Sequence, residues 1–303
     1  MNGPLVGIVG AGAVGQTLAA GLVAAAFPER LLVVSRQPDQ ARALAADLQD
    51  LALTSRSRTQ ADAGEVADLH GCDAVVVALR TDFKNTAEHD IRRQGATANA
   101  PALGVLAREL RGYDGTVIVV TNPVDLMARR FGEVSGCARV FGIGSNLDSA
   151  RYRLLLARYA QVSPDLVRGH VIGEHGDRAV ICVSTTTVDR RPVAVPVRAV
   201  VADLQRRPAL IRTGIGRTRC GPAGAVLSTL RMALGLADGI EELSVPYGDV
   251  WLGIPMRFTG GKTVPCLPSL TRSERLRLDS AASSLRDAYT RLPALPPTER
   301  TAP

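Results

Sequence analysis

Over its first 144 residues the chain alternates short β-branched runs with longer, alanine-rich amphipathic segments, and this alternation leaves few folds open. Strands joined by helical crossovers pair in parallel, and a parallel sheet must be covered by helices on both faces. The expected strands are Leu5 to Val9, Leu31 to Val34, Ala74 to Ala78, Thr116 to Val120 and Val140 to Ile143, with helices such as Ala13 to Ala25 and Gln40 to Leu51 between them. The fold class is therefore α/β, with a doubly wound parallel sheet ending near residue 144.

Beyond that point the order changes. A helix is expected over 147–159, strand-like runs over 168–172, 179–187 and 193–196, a long helix within 222–242, strands near 249–257 and 262–267, and a last helix over 271–288. This mixture reads as a second, α+β domain. The expected organisation is 1–144, a dinucleotide-binding domain; 145–290, a substrate-binding catalytic domain; and 291–303, "LPALPPTERTAP" and its lead-in, a flexible or surface-draped tail.

Composition narrows the function. No apolar stretch approaches the roughly 18 to 20 residues of a membrane span, and the amino terminus runs straight into a strand, so a cytoplasmic protein with no membrane partner is expected. The five cysteines are odd in number and scattered, without metal-ligand spacing, and read as reduced packing residues with no metal implied. The net charge of +7 lacks the interleaved aromatics or dense basic tract of a nucleic-acid binder, so an anionic small-molecule partner accounts for it as well.

The segment "VGIVGAGAVGQTLAAGLV" sets Gly10, Gly12 and Gly15 directly after the first strand, with Ala13 and Val14 opening the helix. In such a turn the first glycine allows the sharp bend, the second lets the backbone approach a pyrophosphate, and the third lets helix and strand pack closely. The helix amino terminus then offers N–H groups and positive dipole to phosphate. A carboxylate closing the second strand would accept hydrogen bonds from a ribose 2′-hydroxyl and repel a 2′-phosphate. Here "LLVVSRQPDQ" has Ser35 and Arg36 instead, a hydroxyl beside a guanidinium, which suits a phosphate dianion. NADP (NADPH) is the expected cofactor. If Arg36 merely points into solvent, NAD is the alternative.

Three further segments carry chemistry: "VTNPVD" after the fourth strand, "NLDSARYR" at the start of the next helix, and "VIGEHGD" beyond it. Reducing a 2-oxo acid needs a hydride at carbon and a proton at oxygen, so an acid titrating near neutrality is required, and His175 is the candidate. His70, His89 and His170 read as satisfied histidines. Asp148 and Arg151 lie three apart on one helix face. The carboxylate would fix the His175 tautomer and favour imidazolium, and the guanidinium would hold a substrate carboxylate by paired hydrogen bonds. Without His175 and Asn122, Asp148 and Arg151 would be an ordinary surface pair.

In order and spacing, these motifs and the glycine turn resemble the L-lactate/malate dehydrogenase family over about residues 4–288, and the "GEHGD" form lies nearer the lactate enzymes. The resemblance implies a Rossmann-type first domain, an NAD(P)-dependent 2-hydroxyacid dehydrogenase, a small 2-oxo or 2-hydroxy acid as substrate, and a homodimer or homotetramer. It implies that Asn122 contacts the nicotinamide and substrate region. It also implies a loop arginine seven residues before Asn99, which is Arg92, with Arg93 as its alternative. Thr86, six before Arg92, stands where lactate enzymes carry glutamine and malate enzymes arginine. Thr218, followed by Cys220, Gly221 and Pro222, falls on the opposite wall, where small residues leave room.

The loop "ALRTDFKNTAEHDIRRQGATAN", with Lys84 in it, departs from the family in lacking the family's glycine directly after the third strand and its proline-glycine segment and in being about three residues longer. The expected substrate is thus a 2-oxo acid other than pyruvate or oxaloacetate, and larger. The competing readings are an NAD-dependent malate or lactate dehydrogenase, a reductase of an imine or other carbonyl, and a non-catalytic nucleotide-binding protein.

Overall fold

The computed structural model describes residues 3–81, 95–295 and 297. Six parallel strands, β1 (Leu5–Val9), β2 (Arg30–Val34), β3 (Gln60–Ala63), β4 (Ala74–Val77), β5 (Thr116–Val119) and β6 (Val140–Ile143), lie in the order β3-β2-β1-β4-β5-β6. β4, β5 and β6 are buried at every position, as continuous apolar runs must be when helices cover both faces of a sheet. Strand order reverses between β1 and β4, and the crevice at the carboxyl ends of those strands is where an open α/β sheet takes a ligand. The sequence "QADA" of β3 escapes the strand pattern because it is a polar edge that pairs only with β2.

Helices α1 (Ala13–Ala24), α2 (Pro38–Ser55), α3 (Ala96–Glu109) and α4 (Val124–Ser135) complete the first half. The second half holds α5 (Ser145–Ala160), β7 (Val167–Arg168), β8 (Val171–Gly173), β9 (Ala179–Ile181), β10 (Thr187–Val188), β11 (Arg191–Pro192), α6 (Val197–Ile215), α7 (Cys220–Ala233), β12 (Gly239–Tyr247), β13 (Val250–Thr259), β14 (Lys262–Pro265) and α8 (Arg272–Thr290). Its main strands extend the same sheet: β12 pairs antiparallel to β6 through Leu243 with Ile143 and Ser244 with Gly142, and β13, β8 and β9 follow. One eleven-stranded sheet therefore runs through both halves, while β11, β10 and β7 form a small separate sheet.

Several expectations change here, among them the run over 168–172, which is split between β7 of the small sheet and β8 of the long one. The run expected over 179–187 is broken into β9, a 3-10 turn at Val183–Thr185 and β10, and the strand expected over 193–196 is instead the lead-in to α6. α6 itself carries Pro208 within it and buries only Val200. The helix expected within 222–242 ends at Ala233. Gly235 turns the chain at φ +73°, and "IEELSV", built of good helix formers, is drawn into β12 by full-length pairing with β13.

The main apolar core fills both sides of the long sheet. A smaller cluster, including Tyr152, Leu156, Val167, Val171 and Val200, sits between α5, the small sheet and α6. Past α8 the chain drapes over the body: Leu292 packs against the main core, Arg130 Nη2 donates to Pro293 O at 2.7 Å, and Leu295 covers Gly104. Among the described residues no helix is long and apolar enough to cross a membrane.

Candidate active site

The glycine turn is built as its spacing implies. Gly10 has φ +112°, and a Cβ there would stand 2.7 Å from Ala78 O, so no L side chain fits. A Cβ on Gly15 would collide with Gly10 O, which keeps α1 tight on β1. Gly12 differs, because a Cβ there would meet nothing within 4 Å. The protein's own packing does not require glycine at this position, the N-cap of α1. Open space at a helix amino terminus with no acidic residue in its first turn is what a pyrophosphate needs, so the residues present fit a dinucleotide. Ala13 and Val14 supply the first helical N–H groups.

Gly10 N donates to Val34 O at 2.8 Å, which brings the end of β2 beside the turn. Ser35 follows there, half-buried, and its hydroxyl donates to Gln40 Oε1 at 2.9 Å. Arg36 is exposed.

Asn99, buried near the start of α3, joins two of the strand-end loops. Its Oδ1 accepts from Thr81 N and Thr81 Oγ1, both at 2.9 Å, and its Nδ2 donates to Asn122 O at 2.8 Å. Asn122, joined to Pro123 by a cis peptide bond, is thereby held at the carboxyl end of β5 and is exposed.

The chemistry-bearing groups converge where β6 passes into α5. Gly173, with φ +84°, turns the chain out of β8 so that His175 reaches α5. Gly144 makes room for it, since a Cβ there would lie 2.7 Å from His175 Cβ. His175 Nδ1 lies 2.6 Å from Asp148 Oδ2, and Arg151 Nη1 donates to Asp148 Oδ1 at 3.4 Å. One carboxylate thus serves an imidazole and a guanidinium, with all three residues under a tenth exposed. Buried charges at this depth hold only when paired and hydrogen-bonded, and the Asp148 carboxylate is the shared partner of the other two groups.

Beneath His175 lies a residue that sequence reasoning passed over. Asp125, in the first turn of α4 and fully buried, accepts the His175 backbone N–H at Oδ2 over 2.8 Å. Burial pushes its carboxyl up to about 7, against the lowering pull of that N–H and of the Ser244 hydroxyl. Asp125 Oδ1 makes no hydrogen bond among the described residues. The residue stands inside the "VTNPVD" motif, but its partner is 50 positions away, so only the fold reveals the contact.

A cleft of about 340 Å³ opens beside Arg151 between α5, α6 and the start of α7, and Thr218 lines it. Arg151 and Thr218 therefore share one space. Arg92, its alternative Arg93, Thr86 and Lys84 lie outside the described residues.

Comparison with known proteins agrees with this construction. Residues 5–142 match the lactate/malate dehydrogenase NAD binding domain, and residues 145–213 match the lactate/malate dehydrogenase alpha/beta C-terminal domain. The chain is 30% identical to an L-lactate dehydrogenase of Allorhizobium ampelinum, over 95% of this chain and 99% of the relative. It is 28% identical to the L-lactate dehydrogenase of Staphylococcus epidermidis, over 95% and 96%. Among solved structures, the malate dehydrogenase from Aeropyrum pernix superposes with a TM-score of 0.86 at 25% identity, covering 95% of this chain and 98% of that one. The Cryptosporidium parvum lactate dehydrogenase complexed with lactic acid and nicotinamide adenine dinucleotide superposes at 0.87 with 20% identity, covering 96% and 98%, a likeness of fold.

Proposed function

Because the chain belongs to the lactate/malate dehydrogenase family and is an NAD(P)-dependent oxidoreductase of that type, we propose that it uses NADP to reduce a 2-oxo acid other than pyruvate or oxaloacetate to an L-2-hydroxy acid. The observation that carries the reading is the buried line of His175, Asp148 and Arg151, with the imidazole 2.6 Å and the guanidinium 3.4 Å from one carboxylate. A bound reduced nicotinamide supplies the hydride.

His175 gives a proton to the carbonyl oxygen from Nε2, since Nδ1 faces Asp148. Asp148 stabilises the doubly protonated ring and fixes its orientation. Arg151 clamps the substrate carboxylate, each charge-assisted hydrogen bond adding about 1.5–3 kcal/mol. Asn122 orients the reacting groups from the end of β5, and Thr218 bounds the substrate from the α7 side. On its spacing to Asn99, Arg92 is assigned to polarise the carbonyl. The dinucleotide is held by the turn from Gly10 to Gly15, with Ser35 and Arg36 taking a 2′-phosphate. The division into 1–144 and 145–290, a cytoplasmic location, and assembly as a homodimer or homotetramer belong to the same proposal, the last measurable by light scattering.

A second reading, NAD with the same site residues, is favoured by one observation: the Ser35 hydroxyl already donates to Gln40. A spectrophotometric panel of 2-oxo acids with NADPH and with NADH, repeated on His175→Ala, separates the readings. The proposal expects the highest kcat/KM with NADPH and a substrate larger than pyruvate, and near-complete loss in the variant. Best turnover of pyruvate or oxaloacetate with NADH would refute it.

A further inference from the structure

The cleft beside Arg151 has a composition that says what enters it. α5 contributes Leu147 and Leu154 and α6 contributes Ile211 and Ile215, so two helix faces give it apolar walls. The α5 wall runs from Leu147 to Leu154, roughly 10 Å at 1.5 Å per residue, longer than the four-carbon skeleton of oxaloacetate. Gly221 keeps this wall open, because a Cβ there would stand 3.1 Å from Leu147 Cδ1.

Charge in the cleft has one sign. Besides Arg151, it is lined by Arg207 and Arg219, and among the described residues none that lines it is acidic. Arg207 is half-buried and Arg219 exposed, whereas Arg151 is 7% exposed, so the two lie toward the mouth and Arg151 lies deep. Arg207, on the same helix as Arg206 but turned into the cleft, makes no ion pair among the described residues.

Resting on the reading of the chain as a 2-oxo acid reductase, we infer that the substrate is a 2-oxo acid with an aliphatic side chain that ends in a second anionic group. Arg151 holds the carboxylate next to the reacting carbonyl. The aliphatic stretch lies between the α5 and α6 walls, and Arg207 and Arg219 receive the distal anion. A neutral chain would gain nothing from the two guanidiniums at the mouth, and a short diacid held by Arg151 would end before the outer part of the wall. Specificity of this kind is set by the groups a wrong substrate leaves unsatisfied.

The test compares 2-oxohexanoate with 2-oxoadipate, which share a six-carbon chain and differ in the terminal carboxylate, each with NADPH and NADH. The full-length enzyme is set beside the Arg207→Gln/Arg219→Gln double variant. The wild type is expected to prefer 2-oxoadipate in kcat/KM by at least about ten-fold, and the double variant to lose most of that preference. Equal or better use of 2-oxohexanoate by the wild type overturns the inference while leaving the reductase reading intact. A preference that survives in the double variant also overturns it, because the anion is then held elsewhere. Oxidation of neither coenzyme by any 2-oxo acid overturns both.

Discussion

Replacing Asp125 by asparagine separates the shape of this residue from its ionisation. Asparagine keeps an oxygen that can accept the His175 N–H, now 2.8 Å away, but cannot titrate. In the folded protein the carboxyl ionises at about 7, and its ordinary value is 3.8. The roughly three pH units between them correspond to about 4 kcal/mol at 1.36 kcal/mol per unit.

The sign follows from proton counting. Between the two values the folded chain binds the proton and the unfolded chain does not, so stability from this group is fully present below the unfolded value. It drains away as pH rises towards 7 and is gone above it. Of the whole, somewhat under 3 kcal/mol falls between pH 5 and pH 8, a window in which urea denaturation can be followed by circular dichroism. Asp125→Asn should therefore gain on the wild type by about that amount on going from pH 5 to pH 8. If the two proteins keep a constant difference in unfolding free energy across the window, Asp125 does not titrate there, and the argument from its burial is wrong.

Four other perturbations test the site. Gly10→Ala, forcing a side chain onto φ +112° against Ala78 O, should cost at least about 2 kcal/mol of stability by thermal melting. Gly12→Ala should cost no more than about 1 kcal/mol of stability, the loss of a favoured N-cap residue, and raise KM for the coenzyme at least about ten-fold, because its Cβ occupies only the space assigned to phosphate; an unchanged KM would remove the turn from the coenzyme site. Ser35→Asp should lower kcat/KM with NADPH at least about ten-fold more than with NADH, through repulsion of the 2′-phosphate, and equal losses would refute that placement. Asp148→Asn should lower kcat/KM for reduction by about 10²–10⁴-fold and move its alkaline fall to lower pH, since the carboxylate that favours the protonated imidazole is gone; a profile that keeps its position would mean that Asp148 does not govern His175.

What could be read in advance follows the range of the interactions. β1 and β6 are found to the residue because they are short, β-branched and buried on both faces, a property each strand carries in its own residues. β3 and β12 are hidden for opposite reasons. "QADA" has no apolar run, and "IEELSV" favours a helix locally and becomes a strand only through its neighbours β6 and β13. In the site, His175, Asp148 and Arg151 are legible because their chemistry is written in two short motifs, "NLDSARYR" and "VIGEHGD". Gly144 and Ser244 carry no such mark. Their parts appear only when the imidazole lies on one and the buried carboxyl of Asp125 feels the other. Arg207 belongs with them, since nothing separates it from Arg206 until α6 is laid across α5.

The continuity of the long sheet limits how this protein can be taken apart or recombined. β6 pairs with β5 on one side and with β12 on the other, so cutting the chain after residue 144 would strip one edge from β6 and leave an apolar strand, buried at all four positions, open to any passing chain. A chimera that borrows its carboxyl-terminal half from a relative must carry over the pairing of Leu243 with Ile143 and of Ser244 with Gly142, where a Cβ on Gly142 would come within 2.7 Å of Ser244 Cβ. Exchange of halves therefore succeeds or fails at two pairs of backbone register, on strands that carry none of the reacting groups.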